Sequence, residues 1–243
     1  MKQLLSSVAL AVLVTSAHSQ QIEGVVVPVK KVTVSSPALQ DVITSMPVKE
    51  GDTVKEGDLL AQLNASREEL VLERAQKQLE FAEGKAETAL SLFKNSTGRG
   101  EKVVEETENL ELANIRHREA QAALKERTIR SPLSGIVVKK HKEAGESVDR
   151  VEMLVEVANI DQVYVQFHLD PKLMQTIALE QPLQVRFPLL AGAEEFTGKV
   201  SFIDPQIDTA SGLTKIKVLV ENPDHRIKAG MRGSVDFGKL AAR

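Results

Sequence analysis

An internal repeat constrains the fold of this chain more than any other sequence feature. Residues 48–63 (VKEGDTVKEGDLLAQL) match residues 142–157 (KEAGESVDRVEMLVEV) at a constant offset of 94 positions. Each copy has an acidic glycine turn between short apolar segments, and Gly51 and Gly145 suit a turn that needs a positive φ. Neither copy holds enough apolar residues for a core of its own. We therefore expect the two copies to pack face to face in one small β-sandwich.

The match extends upstream of the glycine turns. Ser36-Pro37 corresponds to Ser131-Pro132, and the apolar residue Val42 corresponds to Ile136, with one additional residue in the first copy. Proline at these points predicts a turn that leads into a strand. The sequence thus predicts a split domain formed by residues 32–63 and 128–157.

Residues 64–127, which separate the two copies, differ from them in composition. They contain no Pro and carry 11 basic and 13 acidic side chains among many Ala and Leu residues, a composition that favours solvated helices. Apolar positions recur there in alternating steps of three and four, with Glu106 filling the one gap; they are Leu72, Ala75, Leu79, Ala82, Ala86, Ala89 and Phe93, then Val103, Leu110, Ala113, His117, Ala120 and Leu124.

A run of helix-breaking residues, 95–100 (NSTGRG), divides this segment in two. The pattern predicts two helices of about 28 residues that fold back as an antiparallel coiled-coil hairpin, about 40 Å long. An Ala-rich seam buries little area, so a single hairpin is expected to be marginally stable and to need a packing partner, such as further hairpins alongside.

The remainder of the chain is expected to form a separate β domain, because six of the eight aromatic residues lie after Asn159. Strands are predicted at 162–169, 183–187, 196–203, 213–220 and 231–237, with 24–30 as a possible addition. Asp170 and Pro171 suit the start of one short helix. The prediction is a small β-barrel formed by residues 22–31 and 158–238. The fold class is therefore mainly β, with an α-helical hairpin inserted in a split sandwich.

Composition excludes several functions. The chain has no Cys and no Trp, which rules out disulfides, zinc–thiolate sites and cysteine nucleophiles. Its formal charge of −3 argues against a nucleic-acid partner. His141, His168 and His225 lack the spacing of metal ligands, and no GxxxxGK or GxSxG motif is present. We therefore predict no enzymatic activity, no metal site and no cofactor.

The first 19 residues are typical of a signal peptide. A basic start at Lys2 precedes the apolar stretch 4–17, and Ala17-His18-Ser19 offers a small-x-small cleavage site. Later segments lack an apolar stretch of about 20 residues, so we expect an exported chain without a membrane span. Without Cys, a lipid anchor on an N-terminal cysteine is excluded.

The chain resembles the periplasmic adaptor or membrane fusion (HlyD-like) proteins in four segments that follow one another in order. They are EGDTVKEGDLLAQL, the hairpin, RTIRSPLSGIVV with AGESVD, and NPDHRIKAGM. The resemblance covers nearly all of residues 22–238. It implies a hairpin, a lipoyl-like sandwich and a β-barrel, and it implies assembly as a funnel of about six copies, that is, a homo-hexamer. It also implies a link between an inner-membrane pump, RND-type by preference, and an outer-membrane channel, in the periplasm and peripheral to the inner membrane.

Specific residues follow from this resemblance. Gly51 and Gly145 would be the lipoyl-type turn glycines, Pro132 and Gly135 would mark the return into the sandwich, and Gly230 would belong to the barrel signature with Asn222, Pro223 and Met231. The family also implies that the hairpin tip contacts the channel. The tip residues themselves are predicted from their position at the end of the hairpin alone; they are Lys94, Gly98, Arg99, Gly100, Glu101 and Val104.

This chain departs from the family pattern in three places. Ala229 replaces the usual proline before Gly230-Met231, no Arg lies between Lys77 and Gly98, where the family often has an Arg-Leu-Ser tip pattern, and only residues 238–243 follow the barrel. A membrane-proximal domain is therefore not expected.

Other classes stay open beside the RND-type adaptor. An adaptor of an ABC-type exporter and a structural coiled-coil protein of the periplasm would both fit the modules. A lipoyl or biotin carrier shares the repeat, but its modified lysine lies in a tight turn between the two halves. Here the whole hairpin separates Leu63 from Thr128.

Overall fold

The computed structural model describes residues 21–95, 97 and 99–237, so the predicted leader lies outside the described residues. Two compact units are present: one is Lys30–Asn159, and the other combines residues 21–29 with residues 160–237. The expected fold class, mainly β with an inserted helical hairpin, is confirmed. Within the described ranges, no helix is both long and apolar enough to cross a membrane.

Strands and helices follow one another in chain order. They are β1 (Gln21–Ser35), β2 (Asp41–Ser45), β3 (Thr53–Val54), β4 (Leu59–Leu63), α1 (Ser66–Lys94), α2 (Gly100–Lys125), β5 (Thr128–Arg130), β6 (Gly135–Lys140), β7 (Ser147–Val148), β8 (Met153–Leu169), a 3₁₀ helix (Pro171–Thr176), β9 (Pro182–Arg186), β10 (Glu195–Ile207), β11 (Thr214–Glu221) and β12 (Arg232–Asp236).

The two repeat copies build one core, but they do not form one sheet each. In one sheet the order is β5-β4-β2-β7, and in the other β3 pairs with β6 and β6 pairs with β8, so both sheets contain strands of both copies. The expectation of two copies stacked face to face is therefore wrong in detail. Interleaving lets each copy satisfy the edge hydrogen bonds of the other. The shared core includes Ile43, Leu60, Leu63, Val137, Val148, Leu154 and Val157.

Reciprocal hydrogen bonds relate the two copies. The Gly51 amide donates to the carbonyl of Val137 (2.8 Å), and the Gly145 amide donates to the carbonyl of Ile43 (2.7 Å). Both glycines have positive φ, 92° and 94°. Because each turn is bonded to a strand of the other copy, the turns close the sandwich as well as reversing the chain.

Four acidic side chains of the repeat cap their own turns. Each carboxylate accepts a hydrogen bond from the backbone amide three residues earlier, at 2.8 or 2.9 Å; the four are Asp52, Asp58, Glu146 and Glu152. The acidic residues of the repeat thus have a local structural role, as is usual for Asp in turns.

One repeat position is strained in the second copy. Gly57 and its counterpart Val151 both adopt positive φ, 89° and 67°, and Val151 is 74% exposed. Positive φ is costly for a β-branched residue. We expect Val151→Gly to raise the free energy of unfolding by about 1 kcal/mol, since little burial is lost. The reverse change, Gly57→Val, should lower it. Denaturant titration of both variants tests this, and a destabilised Val151→Gly protein would contradict it.

The hairpin seam follows the predicted heptad. Its buried positions are Ala75, Ala82, Ala89, Glu106, Ala113 and Ala120, all of them among the predicted seam residues. Phe93 is the exception: it was expected in the seam and is 50% exposed. Gly84, in the interior of α1, is exposed, and a Cβ there would meet nothing within 4 Å.

The second unit contains a closed β-barrel. Strand pairing runs β8-β11-β10-β9-β12-β1, and β1 also pairs with β8. Gly24 on β1 lies so close to β8 that a Cβ would be 2.6 Å from the carbonyl oxygen of Gln166. Phe167 and Phe237 pack edge to face in the core, 5.7 Å apart. The predicted short helix is a 3₁₀ helix, and the Asp170 carboxylate caps it by accepting from the Lys172 amide (2.9 Å).

A buried asparagine organises the turn before β12. Asn222 is 2% exposed; its amide nitrogen donates to the carbonyls of Ile160 (2.8 Å) and Ile227 (2.9 Å), and its side-chain oxygen accepts from the Ile227 amide (2.9 Å). Gly230 follows with φ of 87°, and its amide donates to the carbonyl of Val26 on β1 (2.8 Å). These bonds tie the turn to both β1 and β8.

Candidate functional site

The hairpin tip brings together most of the residues predicted for partner contact. Lys94 is the last residue of α1, Arg99 is the N-cap of α2, and Gly100, Glu101 and Val104 form the first turn that follows. All five are exposed. Gly98, the sixth, lies outside the described residues.

Apolar side chains are also exposed at this end of the hairpin. Val104, Phe93 and Leu92 are 58%, 50% and 48% exposed. Phe93 lies next to Gly100 at the start of α2, and this glycine has no side chain to cover the ring. The heptad pattern does not identify Leu92 and Phe93 as surface residues; the nearby helix-breaking run 95–100 is the one sequence signal for their exposure. The tip therefore exposes three apolar side chains that a partner protein could bury.

Helix α1 carries a basic and apolar stripe along its exposed side. Leu70, Phe81 and Leu92 recur every eleven residues, about three helical turns, so they share one face. The whole basic stripe is Leu70, Arg74, Lys77, Phe81, Lys85, Thr88 and Leu92, all exposed. The Lys85 ammonium lies 4.6 Å from the centre of the Phe81 ring.

Helix α2 carries the opposite charge. Its acidic stripe steps by four and three residues and consists of Glu101, Glu105, Glu108, Leu112, Ile115 and Glu119, all exposed. The two stripes have complementary charge and similar apolar content, yet both lie away from the seam and cannot pair within one hairpin. This charge separation was not recognised in the sequence, although the helical spacing contains it.

The seam itself contains one charged residue. Glu106 is buried, and its carboxylate accepts from Lys102 (2.8 Å) and from Asn109 (3.4 Å). The hydrogen bond from Lys102 is the main reason that the pKa of Glu106 is lowered. The ionised pair therefore stabilises the hairpin above the ordinary pKa of a glutamate, and this contribution is lost as the pH falls through the lowered pKa.

The barrel unit has an aromatic and basic surface patch. The Lys217 ammonium lies 5.3 Å from the centre of the Tyr164 ring and 5.7 Å from that of Phe202. Lys215 forms an ion pair with Asp204 (2.9 Å), and the Lys215 hydrogen bond lowers the pKa of that carboxyl. Beside it, a cleft of about 600 Å³ is lined by His168, Asp204, Gln206, Ile207, Asp208, Ser211, Leu213 and Lys215.

The histidines are placed separately. His141 contacts Glu156 (2.9 Å) and His225 contacts Asp161 (2.7 Å), while His168 lines the cleft of the barrel unit. Across the part of the chain that the structure describes, no three His, Asp or Glu side chains are arranged to hold a metal ion.

The remaining predicted turn residues lie at the return to the sandwich. Pro132 is exposed in the connection from β5 to β6. Gly135 begins β6 and contacts the backbone of β8: a Cβ would overlap the Ala158 carbonyl oxygen and lie 2.7 Å from its carbonyl carbon. Close strand approach, and not a positive φ, is the reason for glycine at this position.

Two family models match the chain. The model of the CzcB-like barrel-sandwich hybrid domain matches residues 30–159, more than half of the chain. The chain belongs to this family. The model of the CusB-like β-barrel domain matches residues 162–240. The resemblance to periplasmic adaptor, or membrane fusion, proteins is thereby confirmed.

Curated relatives of this CzcB-like chain are distant. The nodulation protein NolF of Rhizobium meliloti is 23% identical, over 93% of this chain and 65% of NolF. The cation efflux system protein CzcB of an Alcaligenes strain is 24% identical, over 83% of this chain and 42% of CzcB. The efflux pump periplasmic linker BepD of Brucella suis is also 24% identical, over 74% and 53%. The chain thus spans between two fifths and two thirds of the length of these relatives.

Solved structures show the same fold. A MacA–MexA chimeric protein that contains the Pseudomonas aeruginosa MexA α-hairpin domain superposes with a TM-score of 0.80. It is 20% identical, and the match covers 89% of this chain and 80% of the chimera. At this identity the likeness concerns the fold alone.

Proposed function

We propose that this chain is a non-enzymatic periplasmic adaptor subunit of a tripartite efflux system. It would link an inner-membrane transporter, of the RND type, to an outer-membrane channel. The observation that carries the proposal is the order of modules: a CzcB-like sandwich interrupted by a hairpin, followed by a CusB-like barrel. The names of CzcB and BepD, an efflux protein and an efflux pump linker, support the same role.

Each module has one task in this proposal. The barrel binds the transporter, for which the Tyr164, Phe202 and Lys217 patch is the candidate surface. The tip, with Arg99 and Val104, contacts the channel. The sandwich holds the two together, and the turn residues Gly51, Gly145, Pro132, Gly135 and Gly230 maintain its shape and that of the barrel. No cofactor, lipid anchor or nucleic acid takes part.

The hairpin stripes support assembly from several copies, which we propose to be a hexamer. The basic stripe of α1 on one copy fits the acidic stripe of α2 on the next copy. Such a contact joins two different surfaces, so it is heterologous and generates a ring when the rotation closes. Phe81 is 67% exposed in the single chain. Its burial between neighbouring hairpins would add apolar contact area to the small area that the alanine seam buries.

Replacement of the gene by a hairpin-less version tests the proposed function. In the organism that encodes this chain, a deletion strain would receive either the full chain or a chain in which a short linker replaces 66–125. Growth on graded zinc, cobalt and ethidium is measured. We expect the deletion to increase sensitivity to at least one of these, and only the full chain to restore growth. Full restoration by the hairpin-less chain would contradict the bridging role.

A further inference from the structure

The chain passes between the sandwich and the hairpin at two points. It leaves through Asn64 and Ala65, before α1, and it returns through Glu126 and Arg127, after α2. At the return, the Arg127 carbonyl accepts from the Leu63 amide (2.8 Å), so the two connections lie side by side. Two adjacent backbone connections by themselves leave a hairpin free to tilt about its base.

The Arg127 side chain joins three elements at this base. Its Nη1 donates to the Asp41 carboxylate at the start of β2 (2.8 Å), and its Nη2 donates to the Glu68 carboxylate in the first turn of α1 (2.8 Å). The three side chains are only 20%, 13% and 14% exposed, respectively. One guanidinium thus connects the sandwich to the entering helix from the end of the leaving helix.

The chemistry of this contact is specific to arginine. A guanidinium offers donors in a rigid planar fork, whereas a lysine ammonium is a single point charge on a flexible stem. Partial burial also makes the interaction stronger than that of an exposed surface pair. If Arg127 is removed, Asp41 and Glu68 remain as two carboxylates in the same partly buried place and repel each other.

The Nε atom of Arg127 is buried and has no hydrogen-bond partner among the described residues. Leaving a buried donor unpaired costs free energy. The two Nη groups of Arg127, and not its Nε, therefore make the contacts of this guanidinium with side chains of the described residues.

We propose that Arg127 is a positioning residue that sets the direction in which the hairpin leaves the sandwich. The clamp, defined as Arg127, Asp41 and Glu68, holds the first turn of α1 against β2, so the tip is presented in one direction. The clamp itself does not depend on the role of the protein. Its consequence for transport, correct presentation of the tip to a channel, rests on the proposed function.

Distance measurement between spin labels tests the clamp directly. The chain has no native cysteine, so Ser91→Cys near the tip and Lys139→Cys on the sandwich can be labelled selectively in the full protein. Pulsed electron paramagnetic resonance should give one narrow distance peak. In Arg127→Ala we expect this peak to be lost to a broad distribution. Arg130→Ala is the matched control, because Arg130 is exposed and, among the described residues, its side chain donates to the Gly57 carbonyl alone (2.8 Å). The peak of this variant should stay narrow.

A second variant guards against misfolding. Asp41→Asn with Glu68→Gln keeps Arg127 and the shape of both partners but removes their charges, and it should also broaden the peak while circular dichroism shows unchanged helix content. An unchanged narrow peak in both variants would overturn the proposal. Export assays with Arg127→Ala separate the two levels: a broad peak with full export keeps the clamp and contradicts the bridging role of the tip.

Discussion

Replacing Gly135 by alanine is expected to lower the free energy of unfolding of the sandwich by about 3 kcal/mol, the upper range for overpacking a core. The added Cβ would overlap the backbone of Ala158, and both residues belong to paired strands, β6 and β8, so neither can move without breaking the ladder. Thermal unfolding followed by circular dichroism should show a melting temperature lower by roughly 10 °C.

The same substitution at Gly84 is the control. Gly84 lies in an exposed helix interior with free space around its Cα, so Gly84→Ala should stabilise the hairpin by about 1 kcal/mol through helix propensity. If the free energy of unfolding falls in Gly135→Ala and rises in Gly84→Ala, then the close approach of two strands at Gly135, and not the loss of a glycine as such, causes the destabilisation. A Gly135→Ala protein with the same melting temperature as the unmodified protein would contradict this close approach of β6 and β8.

Replacing Phe81 by glutamate is expected to weaken self-association of the chain by about tenfold or more. Burial of a phenylalanine contributes about 1.5–3 kcal/mol, and 1.4 kcal/mol corresponds to a factor of ten. The new carboxylate would also face the acidic stripe of α2 on the neighbouring copy. Sedimentation velocity over a concentration series measures the effect.

Three further variants make this test specific. Leu90 lies nine residues from Phe81, two and a half turns away, and therefore on the opposite side of α1; Leu90→Glu should leave association unchanged. Reversing Arg74, Lys77 and Lys85 to glutamate should weaken association. Reversing Glu108 and Glu119 to lysine in the same chain should restore it, because in side-by-side antiparallel hairpins these two residues lie level with Lys85 and with Arg74 and Lys77. Failure of the exchange to restore association would show that the two stripes do not meet.

The repeat allowed the most secure predictions about the fold. Gly51 and Gly145 occupy equivalent positions of the repeat, which implied equivalent turns. The low apolar content of each copy implied that the two copies share one core. The heptad was equally informative, because helical spacing depends only on local geometry. Even Glu106, which interrupts the run of apolar residues, lies in the seam as the heptad predicts. Local patterns of this kind can be recognised without knowledge of distant contacts.

Features that depend on distant contacts could not be predicted. Interleaving of strands from the two copies depends on which edges meet, and a repeat does not specify this. Gly135 has an ordinary sequence context, and only the approach of Ala158 explains it. Arg127 resembles the other basic residues of its segment, and its two carboxylate partners lie 86 and 59 positions away in the chain. Phe93 continued the heptad, but its neighbour on the facing helix is Gly100, which has no side chain to cover the ring.

Site-specific photocrosslinking in living cells tests the bridging claim most directly. A photoreactive residue is placed at Val104 on the tip or at Phe202 on the barrel, with Glu83 on the side of the hairpin as the control position, and captured proteins are identified by mass spectrometry. The account predicts that Val104 captures an outer-membrane channel and Phe202 an inner-membrane transporter, and that Glu83 captures neither. Absence of both membrane proteins from the Val104 and Phe202 products, with the chain present at its normal level, would contradict the account.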